Sequence, residues 1–108
     1  VKDVVDLMGR EADVGLDRLR VDGGAAANDL LCQLQADTTR LIVDRSAELE
    51  TTGLGAAFLA GLGAGVWSST DDLASTRRSS RTFAPGTLDP AVHERWREAV
   101  ARARHWSL

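Results

Sequence analysis

The feature that most constrains the fold of this chain is a pair of glycines, Gly23 and Gly24, between a strand-like segment and a run of alanines. Leu19, Arg20 and Val21 alternate apolar and polar side chains as a strand does, and alanine is the strongest helix former. The glycines therefore mark a strand-to-helix turn. A turn without bulky side chains, beside the unpaired N–H groups of a helix start, can accept the ribose and phosphates of a nucleotide.

A purely structural explanation of the two glycines stays open, because glycine occurs at tight turns for conformational reasons alone. Asp22, the residue before them, also has two interpretations. It caps the following helix, or it reaches a metal ion through water. We favour the cap, because a bare carboxylate beside a phosphate group repels it.

Length, charge and apolar content argue against several classes of protein. The 108 residues suffice for one small domain with a modest core, but not for a two-domain enzyme. A net charge of -3 argues against a nucleic-acid-binding surface, which needs clustered basic residues. No apolar stretch reaches the roughly 20 residues of a membrane span. The N-terminus also lacks a basic region followed by an apolar run, so we expect a cytoplasmic protein.

Hydrophobic periodicity predicts an α/β architecture. The predicted helices cover 1–11, 25–38, 50–67 and 91–105, and the predicted strands cover 19–22 and 41–43. Between 68 and 90 we expect loops with one helical turn at 71–75. A strand, helix and strand in this order require a right-handed crossover between parallel strands.

Two predictions concern helix faces. In the second helix, Leu30, Leu31 and Leu34 are expected to face the core while Gln33, Gln35 and Asp37 face outward. The third helix is expected to be buried, with Thr51 or Thr52 as its N-cap. Its Gly61 and Gly65 are small residues at a spacing that lets a helix lie close against a neighbour.

Two longer motifs carry a family resemblance. Segment 21–34, VDGGAAANDLLCQL, and segment 50–67, ETTGLGAAFLAGLGAGVW, resemble the C-terminal part of the glycerol kinases within the FGGY family of sugar and polyol kinases. The TFAPG segment at 82–86 and the Arg- and Trp-rich closing helix resemble the tail of that family. We therefore interpret residues 1–108 as a fragment of the C-terminal kinase domain that contains its nucleotide-binding part.

The resemblance implies a partial ribonuclease H-like domain, similar to those of actin and Hsp70, in which helices flank short parallel strands. The earlier strands of the sheet are then expected to lie outside this chain. It also implies ATP-dependent phosphorylation of glycerol to glycerol 3-phosphate, with Mg²⁺ carried on the nucleotide. The glycerol site and the catalytic base belong to parts of the family that are not in this chain. We therefore predict no catalytic residue and no protein metal ligand, and an inactive fragment.

Four residues are the predicted nucleotide contacts. By the resemblance, Gly24 matches the glycine whose backbone lies against the nucleotide. Asn28 matches the asparagine that contacts the adenosine moiety. Gly23 and Ala25 are expected to keep this surface free of side chains, so that ATP or ADP can approach the backbone.

Other residues favour structural roles. Cys32 lies among leucines and is expected to be a small buried residue, although a reactive thiol stays open. The acidic pair Asp71 and Asp72 favours a helix start. His93 and His105 are 12 residues apart on one predicted helix, too far to share a metal ion.

Two remaining patterns are weaker evidence for a binding site. The string GLGAAF at 53–58 lacks the third small residue of a dinucleotide-binding fingerprint and does not follow a strand directly. Three arginines are expected to form a solvated loop face rather than a phosphate site: Arg77, Arg78 and Arg81.

Two alternatives to the glycerol kinase interpretation stay open. The chain could belong to another FGGY sugar kinase, or it could be a stand-alone nucleotide-binding or interaction module. In each case the predicted strands leave an uncovered sheet edge, which favours pairing with another copy of the chain.

Overall fold

A three-stranded mixed sheet lies at the centre of the structure, a computed structural model that describes residues 1–13 and 15–104. The strands β1 (Arg18–Val21), β2 (Ile42–Ser46) and β3 (Ser79–Phe83) lie side by side in that order. β1 runs parallel to β2, whereas β3 runs antiparallel to it. The described residues form five α-helices: α1 (Lys2–Ala12), α2 (Asp29–Thr39), α3 (Thr51–Gly63), α4 (Thr70–Thr76) and α5 (Pro90–Arg104).

The α/β class and both predicted strands are confirmed, and α4 confirms the short helix expected near 71–75. The prediction of only loops around that helix was wrong, because 79–83 forms β3 and makes the sheet mixed. Periodicity missed β3 since its sequence, SSRTF, is polar and only Phe83 is buried. The closing helix is confirmed as α5, and His105 lies outside the described residues.

The second predicted helix is divided in two. A short 3-10 helix covers Gly24–Ala27, and α2 begins only at Asp29, after the cap residue Asn28. The expected helix face was wrong as well. The three leucines of α2 are exposed, and the buried positions are Cys32, Ala36 and Thr39. These side chains are small, so they allow α2 to lie close to β2.

The core lies between α2 and the sheet. Val43 of β2 is fully buried and pairs in register with Phe83 of β3. Both side chains pack with Ala26, Cys32 and Ala36. The expectation that Cys32 is a small buried residue is therefore confirmed, and we call this side of the sheet the α2 face.

The helix α3 is mostly exposed, so the prediction of a buried helix was wrong; only Gly61 is buried. A Cβ built on Gly61 would lie 2.1 Å from Cζ3 of Trp67, which shows that the glycine makes room for the indole ring. Trp67 also meets Phe58 edge to face, with ring centroids 5.3 Å apart. Among the described residues, no helix is both long and apolar enough to cross a bilayer.

Hydrogen bonds attach the 82–86 segment and α5 to the rest of the domain. In the 82–86 segment, Gly86 N–H donates to Asp37 Oδ1 at 2.7 Å, and Gly86 C=O accepts from Arg40 at 2.7 Å. Further along, Trp96 Nε1 of α5 donates to Asp3 Oδ2 of α1 at 3.0 Å. Asp37 thus binds a neighbouring segment, although the sequence predicted that it faces outward.

Candidate functional site

The predicted nucleotide turn begins at Gly23, which lies at the end of β1. Its backbone has φ 79° and ψ 165°, a conformation that is essentially restricted to glycine. Gly23 N–H donates to Leu49 C=O at 3.0 Å, so this amide is used inside the fold. Gly23 therefore fixes the direction of the turn, and its N–H group is not available to a ligand.

The next two residues form an open surface. Gly24 and Ala25 are both exposed, and a Cβ built on Gly24 would meet no atom of the described residues within 4 Å. Their N–H groups are the first of the 3-10 helix, where a helix leaves its donors unpaired. Within the described part of the chain neither group has a hydrogen-bond acceptor. The space in the side-chain direction of Gly24 is therefore open.

Asn28 ends the turn and starts α2. Its side-chain Oδ1 accepts a hydrogen bond from Leu31 N–H at 3.1 Å, which is the geometry of an N-cap. The sequence assigned Asn28 only to the adenosine contact and did not predict this cap. The two roles use different atoms, because the cap occupies the carbonyl oxygen while the side-chain amide nitrogen remains a donor.

Asp22 does not cap α2, so the favoured interpretation of this residue was wrong. Its Oδ2 instead accepts a hydrogen bond from the hydroxyl of Thr51 at 2.6 Å. Thr51 is the first residue of α3 and not its cap, which corrects that prediction too. This contact ties the end of β1 to the start of α3.

The carbonyl side of the turn is held by a residue that the sequence analysis missed. Arg45 of β2 donates to the carbonyl oxygens of Ala26 and Ala27, at 3.2 and 3.3 Å, and to Asp29 Oδ1 at 2.7 Å. Arg81 of β3 binds the other oxygen of Asp29. One signal was available in the sequence: Arg45 follows buried Val43 by two residues, so it lies on the same face of β2 and needs polar partners there.

The arginines predicted to form a solvated loop face have different environments. Arg78 is exposed, as expected, but Arg81 pairs with Asp29, and Arg77 Nη1 lies 2.9 Å from Asp44 Oδ2. Asp44 is 2% exposed and also meets Arg18 at 3.4 Å. The prediction of a solvated loop face was therefore wrong for Arg77, which is half-buried and binds Asp44 of β2. Arg81 is exposed as predicted, but it lies on β3 and binds Asp29 of α2.

Asp44 is the one group among the described residues with a clearly shifted titration. Burial by itself would raise the pKa of the Asp44 carboxyl. The nearby Ser79 hydroxyl, the hydrogen bonds from Arg77 and Arg18, and the charge of Arg77 favour the carboxylate more strongly and hold the pKa below its usual 3.8. Asp44 is therefore ionised at neutral pH and anchors two arginines on the side of the sheet opposite the α2 face.

A groove of about 620 Å³ opens on that opposite side, near the carboxyl ends of β1 and β2. Its lining is contributed by the ends of β1 and β2 with the residues that follow them, by α3, and by residues around α4. The groove-lining residues include Asp22, Thr51, Leu54, Phe58, Trp67 and Arg77. The predicted contacts 23–25 and Asn28 do not line the groove, so the open turn and the groove are separate features that meet at Asp22.

The described residues contain no cluster of metal ligands. Across 1–13 and 15–104, no three His, Cys, Asp or Glu side chains come together as metal ligands would. Asp22 and Asp29, the carboxylates nearest the turn, are engaged by Thr51 and by two arginines.

The chain is similar to known kinases over its whole length. The model of the FGGY family of carbohydrate kinases, C-terminal domain, matches residues 1–64. A glycerol kinase of Aromatoleum aromaticum is 53% identical over 107 residues, covering 96% of this chain and 22% of the relative. Glycerol kinase 2 of Pseudomonas aeruginosa is 47% identical over 108 residues, covering 97% of this chain and 21% of the relative.

Two solved kinase structures are also similar to this chain. The crystal structure of Plasmodium falciparum glycerol kinase with ADP has a TM-score of 0.74 and 32% identity, and the match covers 99% of this chain and 22% of that one. The ligand-bound xylulose kinase of Lactobacillus acidophilus has a TM-score of 0.64 at 18% identity, covering 81% of this chain and 18% of that one, and shows the fold alone. The chain thus spans about 22% of the length of the first relatives it matches.

Proposed function

This chain belongs to the FGGY family of carbohydrate kinases, and on that basis we propose that it is the nucleotide-binding part of an ATP-dependent glycerol kinase. Similarity to proteins named glycerol kinase, at 42% to 53% identity, supports glycerol as the acceptor. The likeness to a glycerol kinase crystallised with ADP supports the nucleotide.

The observation that carries this proposal is the open corner at Gly24 and Ala25. Both residues are exposed, their N–H groups have no acceptor in the described structure, and the side-chain direction of Gly24 is open. Backbone amides at a helix start are suited to bind the polar and anionic groups of a nucleotide. Gly24 gives close contact with the ligand, and Ala25 adds only a methyl group.

Asn28 and Gly23 have supporting roles in this proposal. The Asn28 side-chain nitrogen donates a hydrogen bond to the adenosine moiety, while its oxygen keeps α2 capped. Gly23 sets the turn direction through its positive φ. Mg²⁺ reaches the site on the nucleotide and neutralises phosphate charge, and the residues of this chain bind and orient the adenosine side.

The remaining functions belong to the longer enzyme in this proposal. Because the chain is 22% of the length of its relatives, the glycerol site and the catalytic base lie in the other part, and this fragment by itself is inactive. We further infer a partial ribonuclease H-like domain whose earlier strands pair with β1. Within the described residues β1 pairs only with β2, which leaves its outer edge open for such a strand.

We also propose that the parent enzyme is cytoplasmic and does not bind nucleic acid.

In addition, we propose that the isolated chain associates with itself through the β1 edge. An open strand edge offers unpaired N–H and C=O groups to another chain. Sedimentation velocity of the isolated chain, over a wide concentration range, tests the association. A monomer at every concentration would contradict it.

The decisive experiment for the kinase function uses a chimera, in which this chain replaces the matching 107-residue segment of the Aromatoleum aromaticum glycerol kinase. We expect the purified chimera to phosphorylate glycerol with ATP. Its circular dichroism spectrum and unfolding temperature serve as the folding control. A folded chimera that lacks the activity would contradict the proposal.

A further inference from the structure

The junction between the 3-10 helix and α2 leaves two carbonyl groups without regular helical partners. In a continuous α-helix the N–H group of Leu31 would donate to the carbonyl of Ala27, but here it donates to Asn28 Oδ1. Ala26 is buried, and a buried carbonyl without a donor costs free energy. The shape of the predicted nucleotide turn therefore depends on donors supplied from elsewhere in the fold.

Cys32 Sγ supplies one weak donor, to the Ala26 carbonyl at 3.3 Å, and Arg45 supplies the others. Besides the carbonyls of Ala26 and Ala27, its guanidinium binds Asp29 Oδ1, and its Nε donates to Ser80 Oγ at 3.0 Å. The Arg45 side chain is only 16% exposed. We call Arg45, Asp29 and Arg81 the arginine brace, because Asp29 links the two arginines.

The ring of Phe83 positions the brace. Cζ of Arg45 lies 5.5 Å from the centroid of this ring, and Cζ of Arg81 lies 4.9 Å from it. Both distances allow a cation–π interaction. Phe83 is a core residue, so the brace connects the turn to the hydrophobic core of the α2 face.

We propose that Arg45 is a positioning residue for nucleotide binding, an inference that rests on the proposed function. The N–H and C=O groups of a helical turn point to opposite ends. Arg45 binds the carbonyl end and leaves the N–H groups of Gly24 and Ala25 exposed at the other end. It therefore fixes the surface that the nucleotide contacts without touching the nucleotide.

Lysine cannot replace arginine in this role. The guanidinium is planar and has five N–H donors in fixed directions, whereas the lysine ammonium has three donors on one atom. Arg45 holds two carbonyls, one carboxylate and one hydroxyl with two of its nitrogens. Arg45→Lys keeps the charge but cannot reach all four acceptors.

The test compares variants of the chimera defined above. Arg45→Met removes the donors at similar length, Arg45→Lys keeps the charge, and Arg77→Met is the matched control. Arg77 joins β2 to the region of β3 through Asp44, and it does not contact the turn. The measurements are KM for ATP, KM for glycerol, kcat, and hydrogen exchange of peptides that cover 20–31.

For Arg45→Met we expect KM for ATP to rise about tenfold, in line with the loss of charge-assisted hydrogen bonds. KM for glycerol and kcat should change by less than about threefold, since they depend on other parts of the enzyme. Exchange at 20–31 should accelerate. Arg45→Lys should lie between the parent and Arg45→Met, and Arg77→Met should lower the unfolding temperature without raising KM for ATP.

Each contrary outcome has a separate meaning. An unchanged KM for ATP in Arg45→Met, or an equal rise in both KM values, would overturn the positioning role while leaving the kinase function intact. A rise in KM for ATP in Arg77→Met equal to that in Arg45→Met would also overturn it, because any loss of stability would then have the same effect. A folded, unsubstituted chimera that binds no ADP would overturn the proposed function and the positioning role together.

Discussion

The two faces of the sheet differ in how completely this chain covers them. On the α2 face, Val43 and Phe83 are buried under small residues of α2, and Arg45 satisfies the carbonyls of the turn. On the opposite face, Asp44 is buried and forms ion pairs with two arginines, and a groove of about 620 Å³ separates the sheet from α3. The α2 face is therefore packed by apolar side chains, whereas the opposite face is stabilised by ion pairs.

The predicted nucleotide turn is attached to the first of these two faces. The turn follows β1 and is held from the α2 face, where Arg45 donates hydrogen bonds to the carbonyls of Ala26 and Ala27. The groove on the opposite face has a larger volume, but its apolar walls from α3 are only partly packed. We therefore expect the nucleotide to bind beside the well-packed face, although the larger space lies on the other one.

The largest expected effect is the truncation of Val43 at the centre of the α2 face. Val43→Ala removes two methyl groups from a fully buried site, and we expect a loss of about 2.5 kcal/mol in the free energy of unfolding. Leu54→Ala is the matched change on the groove side, where Leu54 is 36% exposed, and should cost about 1 kcal/mol or less. Urea unfolding of the isolated chain measures both. Equal losses would remove the distinction between the two faces.

The second effect tests the charged face. Asp44→Asn removes the carboxylate that Arg18 and Arg77 share, at a cost of about 2 kcal/mol at pH 7, since both arginines are partly solvated. Because the pKa of Asp44 is lower in the folded state, its contribution is complete well above pH 3.8 and is lost as the pH falls through the folded pKa. The parent should thus lose its advantage over Asp44→Asn on acidification. An advantage that is independent of pH from 7 to below 3.8 would contradict this account.

The third effect concerns the conformation of the turn. Gly23 and Gly24 both have open space at the Cβ position, but only Gly23 has a positive φ. Gly23→Ala should therefore cost about 1.5 kcal/mol through backbone strain alone. Gly24→Ala is the control and should change the free energy of unfolding by less than about 0.5 kcal/mol. A larger loss of stability in Gly24→Ala than in Gly23→Ala would contradict the positive φ assigned to Gly23.

The smallest effect separates the two roles of Asn28. Asn28→Ala removes the cap of α2 and should cost about 1 kcal/mol, whereas Asn28→Ser keeps a capping oxygen and should be nearly neutral. Both variants remove the side-chain amide donor, so both should bind ADP more weakly in the chimera. Normal ADP affinity in Asn28→Ser would show that Asn28 is only a cap.

The sequence predicted the parts of the fold that depend on local signals. The alternation before Gly23 predicted β1, the apolar run 41–43 predicted β2, and the acidic pair near 71 predicted a helix start. The structure bears out the last prediction in detail, because Asp72 and Ser69 form a reciprocal cap. Such features depend on residues that are neighbours in the chain.

The missed features depend on residues that are distant in the chain. β3 is polar and exists because β2 offers it an edge, and the face of α2 is set by how closely small residues let it approach the sheet. The brace joins residues 29, 45 and 81, a pairing that no local pattern contains. The open backbone at Gly24 was predictable, but the side chain that fixes it was not.

The most direct test of the central claim is the affinity of the chimera for ADP, measured by calorimetric titration of the parent and of Gly24→Val. The open space at Gly24 lets the protein accept the valine side chain, which should then occupy the place of the nucleotide. We predict an unchanged unfolding temperature and an ADP affinity at least about tenfold weaker, a loss of about 1.4 kcal/mol. Equal ADP affinity of the two folded proteins would contradict nucleotide binding at this turn.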